Sequence, residues 1–141
     1  MTTKNKIIIA LSSLGSLLLS APTYAYDFSG TYIGHGKGIT KLEIKGNVVH
    51  ADGKCSPTRC DWTGDKVSLL QAGTTMVVEL EPLSYEKNQT TLYTTLVLTP
   101  TAQANKIQVV LVSYRKSTQA SAAGYSPSSS ITEILTKVTS R

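Results

Sequence analysis

The chain has 141 residues, 40% hydrophobic, 16% charged and 6% aromatic, with a formal charge of +5. That length carries one ordinary domain and excludes a multidomain machine. Among residues 26–141 only Arg115-Lys116 are adjacent basic residues, and aromatics do not interleave with the others. Such scattered charge excludes a nucleic-acid surface.

Residues 1–25 read as a secretory signal peptide. Lys4 and Lys6 give the positive start, and Ile7 to Leu19 form an apolar run interrupted by serines and Gly15. Ser20 to Ala25 supply small or helix-breaking residues, with Thr23 and Ala25 at signal-peptidase spacing. A membrane-spanning helix needs about 20 predominantly apolar residues, more than this run offers. The pattern predicts a secreted or periplasmic protein with a single working domain over 26–141. No transmembrane segment is expected after signal removal, and the charge falls by the two lysines that leave.

From Gly30 onward the chain reads as short strands. Thr31 to Ile33 lead into the glycine-rich turn Gly34-His35-Gly36-Lys37-Gly38. Ile39 to Lys45 alternate, with Ile39, Leu42 and Ile44 set against Lys41, Glu43 and Lys45. Gly46-Asn47 then joins them to Val48 to Ala51 as a tight hairpin. A cysteine loop follows and ends at Asp61-Trp62. Further strands are predicted over Lys66 to Gln71, Thr74 to Glu81, Thr90 to Thr99, Lys106 to Lys116 and Ile131 to Thr139. Pro82 to Gln89 read as a polar connection, with an Asn-x-Thr sequon at Asn88. The segment 117–130 is low in complexity, and Tyr125 is its one large apolar residue, so it reads as a flexible loop.

About eight strands with short turns and no sustained 3.6-residue apolar period predict an all-β antiparallel meander. Closure removes exposed sheet edges, which favours a barrel over a sandwich.

In an oxidising compartment Cys55 and Cys60 point to a disulfide. It would close a loop of Ser56, Pro57, Thr58 and Arg59 and contribute about 2 kcal/mol by chain entropy. The alternative is a zinc site that uses both thiolates with His35 and His50. The export signal favours the disulfide, so neither a metal nor a cofactor is expected.

The glycine turn fails as a phosphate loop, because Gly30 stands too far before Gly36 and Gly38 takes the place of a hydroxyl residue. Its backbone, with His35 and Lys37, could instead form an anion-binding nest. No Gly-x-Ser-x-Gly elbow is present. Asp52, Asp61, Asp65, Glu79 and Glu81 could meet in space for glycoside chemistry, and their spacing gives no evidence that they do. His50 reads as a hydrogen-bonded structural histidine. Trp62 reads either as a plug sealing one barrel end or as an exposed anchor. No catalytic set emerges. The candidate ligand-binding residues are His35, Lys37, His50, Lys54, Arg59 and Trp62, gathered around one barrel mouth.

Gly30-Thr31-Tyr32, Gly38 to Ile44 and Val49 to Trp62 together resemble an uncharacterised family of small exported bacterial β-domains carrying Gly-Lys-Cys-x-Pro-Thr-x-Cys-Asp-Trp. This chain departs from that pattern at Asp52, Ser56 and Arg59, where an aromatic, a histidine and an acidic residue are usual. The resemblance implies a fold and a structural signature without an activity. The opening Gly-Thr-Tyr and closing Leu-Thr-Lys-Val are also similar to avidin-like barrels. The leading expectation is a non-enzymatic binding module for a small ligand or a surface component. The alternatives are a secreted domain acting on a protein partner through its loops and, third, a hydrolase with an unrecognised site.

Overall fold

The alternation of branched and hydroxyl side chains, without helical periodicity, gives a wholly antiparallel sheet. The computed structural model describes residues 25–36, 38–54, 59–85, 87, 89–120 and 123–139, the side chain of Arg59 excepted. Residues 1–24, which carry nearly all of the expected signal peptide, lie outside these, as do Lys37, Cys55 to Thr58 and Asn88. The described residues form ten strands. They are β1 (Gly30–Ile33), β2 (Ile39–Lys45), β3 (Val48–Lys54), β4 (Arg59–Gly64), β5 (Lys66–Leu70), β6 (Thr75–Glu79), β7 (Leu83–Tyr85), β8 (Thr90–Pro100), β9 (Lys106–Ser117) and β10 (Gly124–Lys137).

Pairing runs β4-β3-β2-β1-β10-β9-β8-β6-β5, with β7 on β8. The two ends of that path, β4 and β5, are halves of one stretch of chain separated only by Asp65. The first half pairs with β3 and the second with β6, so the sheet curls into a nearly closed barrel. A hydrogen bond from the Glu81 amide to the Thr63 carbonyl, 2.7 Å, ties the seam.

On β2, β6, β8 and β9 the core faces match the expected alternation, whereas on β10 Leu135 is buried and Ile134 exposed. Leu42, Ile44, Met76, Leu80, Leu96 and Val109 are all buried in one cluster that also takes in Tyr32, Trp62, Ile107 and Leu135. At the end of the barrel near the start of β1, Tyr26 and Phe28 meet edge to face at 4.7 Å, and the Tyr26 amide bonds the Gly73 carbonyl.

Three expectations are corrected. The cysteine loop gives way to β4 at Arg59, whose inward Gly64 hides the apolar alternation from the sequence. Inside the polar connection, β7 forms by pairing with β8. The flexible loop over 117–130 is shorter than expected, because β9 continues to Ser117 and β10 begins at Gly124. Tyr125 pairs with Lys116, Ser126 with Arg115 and Pro127 with Tyr114, so main-chain bonding carries the ribbon where apolar residues run out.

Candidate functional site

Of the six candidate residues, His35 lies at the glycine turn after β1, Lys54 ends β3 and Arg59 begins β4, while Lys37 falls outside the described residues. At the glycine turn, backbone amides do hold an anion, and it is the chain's own Glu133. The Gly38 amide donates to Glu133 Oε1 at 2.6 Å and the Ile39 amide to Oε2 at 3.0 Å. A Cβ on Gly36 would collide with that carboxylate, so the glycine is what lets the turn wrap it. Lys54 fastens the same turn: its amide donates to the Gly38 carbonyl at 2.8 Å and its Nζ to the Gly36 carbonyl at 3.3 Å. His35 is exposed and lines an open concavity of about 480 Å³ with Ile131, Glu133 and Ile134.

Trp62 is corrected as a ligand contact. It is 4% exposed, and its indole lies beneath Gly53, where an added Cβ would stand 2.6 Å from the ring. The tryptophan packs into the core and is not an exposed anchor. Its Nε1 is buried without a hydrogen-bond partner among the described residues.

His50 faces the other way. Period-two alternation on β3 and β4 puts His50, Asp52, Asp61 and Thr63 on the outer face, and Val49, Ala51, Cys60 and Trp62 inside. His50 Nε2 lies 3.0 Å from Asp61 Oδ1, and its Nδ1 lies 3.3 Å from the Thr63 hydroxyl. Asp52 stands directly opposite Asp61 in register. Sequence reasoning named both carboxylates without finding their meeting. The clue is His-x-Asp at positions 50–52, which shares a face only on a strand. On β2 beside them, Lys41 bridges Glu43 at 2.6 Å and holds the Glu43 carboxyl below its usual range.

The zinc set considered from the sequence does not assemble. Cys60 points into the core while His50 points outward, and His35 sits at the glycine turn. Hydroxyl, imidazole and carboxylate do line up as Thr63, His50 and Asp61. They stand on the convex outer face of the sheet, where Thr63 pairs with His50 within the β3–β4 ladder. Acyl transfer needs donors aimed at a developing oxyanion in a water-poor site, and this face does not supply them.

A second surface arises where β8, β9 and β10 run past the core. Their outward positions carry Tyr93, Tyr114 and Tyr125. Tyr93 and Tyr114 stack at 5.0 Å with planes 11° apart, and Tyr125 tilts against Tyr114 at 5.8 Å. Lys116 Nζ lies 5.5 Å from the Tyr125 ring centroid. Tyr125 is 68% exposed and Tyr114 42%, with Val112 and Ile134 exposed on the same face. The sequence signalled only Tyr125, because the ladder exists through cross-strand register.

No protein-family model, curated protein or solved structure matches the chain. No helix among the described residues is long and apolar enough to cross a membrane.

Proposed function

We propose that the protein is an exported, non-enzymatic binding module that recognises an anionic surface polysaccharide with the outer face of β8, β9 and β10. The carrying observation is the exposed tyrosine ladder with Lys116 against its outermost ring. Aromatic rings offer apolar faces and edges to sugar C–H groups, and a cation beside them attracts carboxylate or sulfate. Thr91, Ser130 and Thr132 add hydroxyls on the same face. Recognition from outside also accords with a barrel interior occupied by its own core. Export rests on the signal-like segment. A Cys55–Cys60 bridge belongs to this reading as a clamp on the β3–β4 turn, supported by the burial of Cys60 and the pairing of Lys54 with Arg59.

Affinity electrophoresis in polygalacturonate, with uncharged dextran as the reference, tests the reading. Polygalacturonate should retard the chain and dextran should not. Tyr125→Ala, which leaves the charge intact, should weaken retardation about fivefold, equivalent to about 1 kcal/mol. Lys116→Gln should weaken it as well. Equal mobility in the two gels, or a Tyr125→Ala variant that binds like the parent, overturns the proposal and turns attention to a protein partner.

A further inference from the structure

We propose that His50, Asp52 and Asp61 form a binding site for one divalent transition-metal ion of the zinc class. The site is built by strand geometry. Residues two apart on a strand point the same way, about 7 Å apart along the chain, so His50 and Asp52 project together from β3. Asp61 joins them from β4, directly opposite Asp52. One ligand atom from each of the three lies within 4.8 Å of the others. His50 Nε2 and Asp61 Oδ1 are already 3.0 Å apart, close to the separation of two ligands on one small cation. Thr63 faces Nδ1 at 3.3 Å and so orients the ring with Nε2 toward the carboxylates, the role that outer-shell partners play around metal-bound histidines.

Electrostatics point to the same ion. Like charges directly opposite on paired strands destabilise the sheet. Here the two carboxylates are cross-strand partners, with Lys41 opposite Asp52 on the other side. A doubly charged ion engages both carboxylates and an imidazole at once, which no single ammonium does. One nitrogen and two oxygens suit zinc or its first-row neighbours. Magnesium and calcium prefer all-oxygen shells. The outer face leaves room for water to complete the coordination. This site uses β3 and β4, and the proposal stands independently of polysaccharide recognition on β8 to β10.

Calorimetric titration of the full, cysteine-oxidised chain with zinc chloride decides the matter. One saturable equivalent is expected, with magnesium failing to compete. His50→Gln should weaken binding at least about tenfold, and His35→Gln should leave it unchanged. If His50→Gln does not fold, judged by its circular dichroism, Asp61→Asn takes its place with the same expected loss. Absence of saturable binding, undiminished binding in the His50 or Asp61 variant, or loss in the His35 variant overturns the proposal.

Discussion

Tyr32 shows how one buried side chain sets a pH limit for the whole fold. Its ring is enclosed, its hydroxyl donates to the Phe28 carbonyl at 3.0 Å, and burial pushes the phenol from 10.0 up to about 12. Below pH 10 both folded and unfolded chains keep this proton, and its stabilising contribution is intact. As pH rises past 10 the unfolded chain loses the proton first, so stability falls by about 1.4 kcal/mol per pH unit until the folded phenol ionises near 12. Urea unfolding across this range should show that slope, and Tyr32→Phe should flatten it while removing about 1 kcal/mol with the hydrogen bond at neutral pH. An unchanged alkaline limb in Tyr32→Phe would assign the slope to other tyrosines. At this scale the sequence is least informative. It leaves Trp62 as plug or anchor, and the answer comes from Gly53, whose missing side chain makes room for the indole. Two residues nine apart meet there only because β3 and β4 pair.

Strands were legible wherever each face carried a different chemistry. Ile39–Lys45 is the instructive case, since Ile39 and Leu42 are both buried yet three apart. A register shift between Ile39 and Lys41 supplies the extra residue that lets both face inward. The first half of β10 offers no such contrast, because Ser126 to Ser130 are polar on both faces. It pairs with β9 all the same, and Pro127 fits because β10 meets β1 only at Thr136 and Lys137. Its side-chain support comes from the outer tyrosines and from a 2.6 Å contact between the Ser113 and Ser129 hydroxyls on the opposite face. Tyr114→Ala should therefore speed amide exchange at residues 125–130 about fivefold and leave β2 and β3 unchanged. Equal acceleration throughout the barrel would mean that Tyr114 supports the whole fold and not the ribbon.

Barrel closure is the property furthest from the sequence, since it depends on one continuous stretch of chain belonging to both ends of the sheet. The two halves of that stretch join at Asp65, between Gly64 of β4 and Lys66 of β5. A Cβ on Gly64 would stand 2.7 Å from the Glu79 carbonyl oxygen and 3.0 Å from Val78, so the seam closes only around a glycine. Backbone cannot swing aside as a flexible side chain can, and the strain of Gly64→Ala must part β4 from the end of β6. The expected cost is about 1–3 kcal/mol, accompanied by exposure of the core to an apolar dye. Gly46 is the control. It lies at φ 59°, with nothing within 4 Å of an added Cβ, so Gly46→Ala strains only the hairpin turn. That change should cost about 1 kcal/mol without dye binding. Denaturant unfolding and dye fluorescence of the two variants separate a seam from a turn. Equal costs with no dye signal from either would place the closing contact elsewhere.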